Sequence, residues 1–320
     1  MTDGKTKVTL IAGGVGGAKM AEGFAALDEV ELSIIGNIAD DDEFHGLWVS
    51  PDIDTLTYTL ADLINREQGW GVRDESLRGL EVLNALGEET WMTLGDRDFG
   101  LHVYRTMRRL KGDRPSKIAS DVANKFGVKA KIILPTDEVV RTQVKTANGW
   151  VSFQEYFVKH QCAPEVLSLK YEGIHKAKAT PEALEAIRSA DRIVIAPSNP
   201  LVSIAPILKI DGIANAVKQS SAPVVAVSPI IAGKVVKGPA DRMLLSLGMR
   251  ADVVGVADCY ANLANALVVD NADISFFEEI EAIGLRAVGS EIFMRTKQDK
   301  ERLAKDILSI APSDTRGQAA

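Results

Sequence analysis

Short apolar runs alternate along this chain with amphipathic stretches, a pattern that predicts a parallel α/β protein. Residues 7–12 (KVTLIA) read as a buried first strand, 13–17 as a turn, 18–26 as a short helix and 31–35 (ELSII) as a second strand. Helical apolar spacing follows over 55–64, 76–86, 100–110 and 115–126, with a turn-like charged segment at 94–98 and a strand candidate at 131–134. Residues 139–147 and 150–157 alternate apolar and polar positions around Asn148-Gly149. Both of those residues tolerate positive φ, so the pair predicts a hairpin. The parallel pattern then resumes, with a helix at 181–189, strands at 192–196 (RIVIA), 223–227 and 253–256, and a helix at 297–309; 311–320 reads as a frayed tail. The expected fold class is α/β, a Rossmann-like, mostly parallel sheet flanked by helices. It forms one domain over 1–320, with an inserted antiparallel, lid-like element at about 131–175.

Composition narrows the class. The 320 residues are 46% hydrophobic and 25% charged, enough to bury a large core, and the net charge is −7. No run of Lys and Arg forms a stripe, so a nucleic-acid partner is not expected. The two cysteines, Cys162 and Cys259, lack metal-type spacing and read as reduced thiols. No apolar run approaches the roughly 20 residues needed to span a bilayer, and the first residues lack an apolar signal region, so a cytoplasmic protein without a membrane partner is expected.

Candidate chemistry lies in the loops that follow the strands, where open α/β sheets bind ligands. Gly13, Gly14, Gly16 and Gly17 form a glycine turn ahead of Lys19. Such turns bring backbone N–H groups up to phosphates. This one is not a Walker A loop, and Lys19 stands where a dinucleotide fingerprint has its third glycine. A bare strand–helix turn is the competing reading, although a cation near a helix start opposes the dipole unless an anion is present. Residues 36–55 then hold six carboxylates: Asp40, Asp41, Asp42, Glu43, Asp52 and Asp54. Clustered carboxylates beside a phosphate loop suit Mg²⁺, a hard cation that takes oxygen ligands. Asp54 reads equally as a helix N-cap. His45 is either a structural hydrogen-bonder or a site residue, and Trp48 either a core residue or a ring-stacking one. Ser198-Asn199-Pro200 follows a buried strand and reads as a capped turn or a phosphate-binding one, an arrangement repeated at Ser228-Pro229 and Gly233.

These residues occur in a familiar order. Gly13-Gly14-x-Gly16-x-x-Lys19, Asn37-x-x-Asp40-Asp41, His45-Gly46, Ser50-Pro51-Asp52-x-Asp54-Thr55 and Leu94-Gly95-Asp96-Arg97-Asp98 come first. Phe153-Gln154-Glu155, Ala196-Pro197-Ser198-Asn199-Pro200-x-x-Ser203-Ile204-x-Pro206-Ile207 and Ser228-Pro229-Ile230-Ile231 follow. The series, from about residue 7 to about 309, resembles the 2-phospho-L-lactate transferase family of coenzyme F420 biosynthesis. The resemblance implies a Mg²⁺-dependent transferase. A phospho-three-carbon-acid group, 2-phospho-L-lactyl or phosphoenolpyruvyl, would pass from a guanosine diphospho-acid to the deazaflavin Fo, forming F420-0 or its dehydro form and releasing GMP. It also implies a homodimer.

On that resemblance Asp40 and Asp54 are the catalytic residues and hold the metal. Gly13, Gly14, Gly16, Gly17 and Lys19 hold phosphate oxygens, and Ser198, Asn199 and Ser203 the phosphate and ribose of the guanosine part. Asp41, His45, Trp48 and Asp52 line the Fo side with Thr55, and Asp54 or Asp52 takes the ribityl proton. Thr93 stands where some members carry a basic residue near Fo, and Ala39 replaces a glycine of others. The main alternative is a non-enzymatic nucleotide-sugar-binding regulator of a related family, which carries an Ala-Asp-Asp-Gly-Gly-Ser type loop; here Asp41 is followed by Asp42-Glu43-Phe44-His45. A Rossmann dehydrogenase lacks support because the third glycine is missing. A purely structural protein is disfavoured by so many polar loops at strand ends.

Overall fold

The computed structural model describes residues 4–236 and 238–311. Its first half runs β1 (Thr6–Ala12), α1 (Gly14–Ala25), β2 (Val30–Gly36), β3 (Asp42–Phe44), β4 (Leu47–Val49), α2 (Pro51–Leu60), α3 (Arg78–Ala85), α4 (Asp96–Leu110), α5 (Pro115–Lys125) and β5 (Lys131–Ile133). An antiparallel segment follows, with β6 (Arg141–Thr146), β7 (Gly149–Ser152) and β8 (Ser168–Glu172). The second half runs α6 (Pro181–Arg188), β9 (Arg192–Ile195), α7 (Ala205–Leu208), α8 (Ile213–Gln219), β10 (Val224–Val227), β11 (Ile230–Ile231), β12 (Lys234–Val235), α9 (Ala240–Ser246), α10 (Val253–Tyr260), β13 (Ala266–Asp270), α11 (Phe277–Ala282), β14 (Arg286–Ser290) and α12 (Lys297–Ser309).

Seven strands form one sheet in the order β14-β13-β10-β9-β1-β2-β5, and all neighbours are parallel. Chain order reverses between β1 and β9, the switch point of a doubly wound sheet. The central strands are apolar on both faces because helices cover both. On one face Val8, Leu10 and Ala12 pack with Met20 and Phe24 of α1 and with Leu303 and Ile307 of α12. On the other, Ile11 and Ile35 join Ile187 of α6, Val217 of α8 and Val256 of α10.

The predicted hairpin forms, with Thr146 opposite Gly149, and β8 adds a third strand to give the order β7-β6-β8. Its second arm is shorter than the alternation suggested: the strand ends at Ser152, and Glu155–Lys159 winds as a π-helix. Three expectations fail. Residues 14–17, expected as part of a turn, are the first turn of α1. Residues 253–256 are helical, because Asp252 caps them by accepting from the Val254 and Gly255 amides, 3.0 Å each. The turn expected at 94–98 is instead the start of α4, whose first turn carries Asp96 and Asp98. Strands β13 and β14 carry the parallel pattern to the sheet edge without having been predicted. The expected frayed tail lies, from residue 312, outside the described residues.

Candidate active site

The loops after β1 and β9 meet at the switch point. Gly14 takes a left-handed φ of 62°, which starts α1 immediately after the strand. A Cβ on Gly16 would stand 2.2 Å from the Pro197 carbonyl oxygen, so only glycine lets the two loops touch. Ser198 Oγ donates to the Gly13 carbonyl at 2.7 Å and ties them together. Helix α1 has no side-chain cap from its own N-cap residue, Gly13, and no acidic residue in its first turn; the Asp52 carboxylate, from α2, accepts from the Gly14 amide at its N-terminus.

That cavity has a volume of about 410 Å³. Gly13, Gly14, Gly16, Asp40, Asp52, Asp54, Thr55, Thr93, Ser198, Asn199 and Ser203 all line it, so most of the residues singled out in the sequence converge. Asn199 caps the π-helix Pro200–Ile204 through the Leu201 amide at 2.9 Å, which aims Ser203 inward. A second π-helix, Glu155–Lys159, brings Phe157 and Val158 to the opposite wall. Phe153 and Phe157 stack there, with centroids 5.6 Å apart, and with Trp70, Met92 and Leu94 they make one side of the cavity apolar.

The carboxylates divide into two groups. Asp40 and Asp52 lie together. Asn37 Nδ2 donates to Asp52 at 3.0 Å, and Asp40 Oδ1 is buried with no hydrogen-bond partner among the described residues. Burial, reinforced by Asp52 and Asp41, holds the Asp40 pKa well above the carboxylate range, and burial pushes Asp52 up to about 6. Asp54, on α2, is gripped through both oxygens by Arg105 of α4. Asp98 of α4 lines the cavity, accepts from Tyr58 at 2.7 Å and is raised by burial to about 6.

Five predicted residues stand elsewhere. Asp41 lies beneath the wall, where Ser50 Oγ (2.7 Å) and Trp48 Nε1 (3.0 Å) donate to it, and burial raises it to about 7. Trp48 is therefore a packing residue, with the Arg109 guanidinium 3.8 Å from its ring centroid. His45 (φ 53°) and Gly46 (φ 74°) form the two-residue turn between β3 and β4, which explains the pair by backbone geometry. Gly17 packs against Ala12, behind the loop. Lys19 lies in the second turn of α1 and donates to the Met294 carbonyl at 3.2 Å, away from the cavity. Among the described residues, no three His, Cys, Asp or Glu side chains are grouped to hold a metal by themselves.

Sequence reasoning missed His102 and Arg105, and quoted Asp98 within a motif without giving it a role in the site. They recur at i, i+4 and i+7 on α4 and are all buried. A polar stripe at helical spacing was the available signal.

Sheet order and switch-point cavity together define a doubly wound α/β protein with a ligand site at the strand C-termini. The chain matches the family model described as 2-phospho-L-lactate transferase CofD over residues 8–306, and it belongs to that enzyme family. It is 37% identical to a 2-phospho-L-lactate transferase of Methanopyrus kandleri, over 95% of this chain and 97% of the relative. It is 36% identical to a phosphoenolpyruvate transferase of Streptomyces griseus, over 95% and 98% respectively. Among solved structures, protein BH3568 of Bacillus halodurans superposes with a TM-score of 0.64 at 19% identity, covering 95% of this chain and 100% of that one, a likeness of fold.

Proposed function

We propose that the chain transfers a phosphoenolpyruvyl or 2-phospho-L-lactyl group from a guanosine diphospho-acid to the deazaflavin Fo, releasing GMP, with Mg²⁺ bound. One observation carries the reading. A single cavity joins a helix N-terminus, several buried carboxylates and apolar aromatic side chains. These suit a diphosphate, a divalent cation and a planar ring respectively.

The donor set fits Mg²⁺, which takes one or two carboxylates and fills its remaining positions with water and substrate phosphate. Asp40 would hold it through the unpartnered Oδ1, with Asp54 as the second ligand and Arg105 orienting that carboxylate from behind. When bound, the cation offsets charge on the diphosphate.

Phosphoryl transfer rests on positioning and charge neutralisation. The backbone of Gly14–Gly16 holds diphosphate oxygens at the α1 N-terminus, while Asn199 and Ser203 border the guanosine side. Phe153, Phe157 and Met92 stack the deazaflavin and exclude water. The terminal hydroxyl of Fo attacks the phosphorus that carries the three-carbon acid. The P–O bond to GMP breaks, and GMP keeps the electron pair. Asp52, raised to about 6, is suited to take the hydroxyl proton.

Incubating the protein with Fo, Mg²⁺ and each guanosine donor, then weighing the products, tests this reading. A product heavier than Fo by the phospho-acid group, formed with GMP, is expected; no product with any donor would overturn it.

A further inference from the structure

His102 is 2% exposed, yet it lines the cavity. Its Nδ1 lies 3.1 Å from Arg105 Nη1. A guanidinium only donates, so Nδ1 accepts and the ring proton resides on Nε2. Arg105 is itself fixed by Asp54 and by the Trp48 carbonyl, which sets both the ring orientation and the tautomer. None of the described residues accepts a hydrogen bond from Nε2. An N–H donor that has no protein acceptor and belongs to a cavity-lining side chain is available to a ligand.

The surroundings narrow what that acceptor is. Asp54 and Asp98, both acceptors when ionised, line the same wall, and the Tyr58 proton is already given to Asp98. A phosphate or carboxylate oxygen would satisfy Nε2 but would face these carboxylates. A hydroxyl accepts and donates at once, so it satisfies the imidazole and a carboxylate together. The apolar wall of Met92, Phe153 and Phe157 borders the same cavity, so the hydroxyl belongs to a molecule with both a flat apolar part and a polyol part.

We propose that His102, held by Arg105, donates through Nε2–H to a hydroxyl on the polyol chain of the acceptor substrate, and so selects a hydroxylated chain over a bare ring. This rests on the reading of Fo as acceptor given above.

The test is Fo binding followed by deazaflavin fluorescence, beside binding of the same ring system without its ribityl chain. Wild-type protein should prefer Fo. His102→Phe, which keeps the bulk and removes the donor, should lose ~10-fold or more of that preference, as expected for one hydrogen bond. His102→Gln, whose amide nitrogen falls near Nε2, should retain most of it. The KM for the guanosine donor should stay within about threefold in both variants, which a general structural defect would not allow. Equal preference in His102→Phe and wild type would overturn the proposal, as would His102→Gln behaving like His102→Phe. A wild-type protein that binds Fo no better than the bare ring would also overturn the proposal, whereas one that binds neither would defeat the reading of Fo as acceptor. Nitrogen NMR of ¹⁵N-histidine-labelled wild-type protein provides a check independent of variant folding. A proton on Nε2 is expected, and a proton on Nδ1 would overturn the assignment.

Discussion

Asp54 and Arg105 are joined through both carboxylate oxygens, and each side chain is less than a tenth exposed. The bond crosses from α2 to α4, so a cavity-lining carboxylate of one helix depends on the packing of another. A bidentate pair fixes the carboxylate plane as well as its position. Arg105 also contacts His102 and the Trp48 carbonyl, so one guanidinium organises the wall of the cavity.

Removing one member of this pair should cost more than removing both. Arg105→Met, similar in volume, leaves Asp54 buried without a partner and should destabilise the fold by about 3–5 kcal/mol. Asp54→Asn leaves the guanidinium unmatched and should also lower the unfolding midpoint. The Asp54→Asn/Arg105→Met double variant should be more stable than the sum of the two losses predicts. Urea unfolding of the four proteins measures the coupling, and strict additivity would refute the buried pair.

Asp40→Asn separates catalysis from stability. Among the described residues no ion pair to Asp40 is present and its Oδ1 is unpaired, so an amide should be tolerated by the fold. Turnover should fall at least ~100-fold through lost charge stabilisation. Wild-type protein stripped of divalent metal should lose activity similarly and regain it with Mg²⁺. Near-normal turnover of Asp40→Asn, or full activity in EDTA, would remove the metal from this site.

The β1–glycine loop–α1–β2 opening was legible because three signals agreed there: a buried run, a glycine turn and a second buried run. The acidic residues were legible as a group but not in their division of labour. Asp41 and Asp52 look alike in the sequence; in the structure one is roofed by Trp48 and Ser50 and the other faces the cavity. Helix α4 showed helical apolar spacing, but that spacing does not give its buried face: Val103, Met107 and Leu110 are exposed while Asp98, His102 and Arg105 are buried. An apolar stripe predicts a buried face only when the opposite face has no polar cavity to line. The strand expected at 253–256 failed for a local reason. Two β-branched residues followed an Asp, and the cap outweighed their strand propensity.

Gly16→Ala should disable the switch point. The added methyl meets the Pro197 carbonyl oxygen, a backbone atom with no rotamer to escape into. The β1 and β9 loops must part, at a cost of roughly 1–3 kcal/mol, and the α1 amides move from their place. Donor KM should rise more than Fo KM, which steady-state kinetics with each substrate varied will show. An unchanged donor KM would place the diphosphate elsewhere.

The antiparallel segment bears on assembly. Val139, Trp150 and Leu167 are apolar and exposed on it. Covering them with a second copy would remove that surface from water. The expected outcome is a dimer of near twice 34.5 kDa in solution. Light scattering that returned an active monomer at micromolar concentration would defeat the dimer and leave the chemistry standing.

The buried carboxylates also make stability depend on pH in a direction opposite to that of an ordinary paired Asp. Burial raises Asp40, brings Asp41 to about 7 and brings Asp52 to about 6, so the folded protein binds these protons more tightly than the unfolded chain does. Their contribution is therefore fully present below the unfolded carboxylate pKa of about 4 and is lost as pH rises through the folded values. Without metal, the melting temperature should fall between about pH 5 and pH 8 as the three carboxylates are forced to ionise side by side. Mg²⁺ favours the ionised forms, so it should raise the melting temperature at pH 8 and do little at pH 5. Thermal melts at both pH values, with and without Mg²⁺, decide the matter. A Mg²⁺ effect of equal size at the two pH values would show that the cation binds somewhere other than these carboxylates.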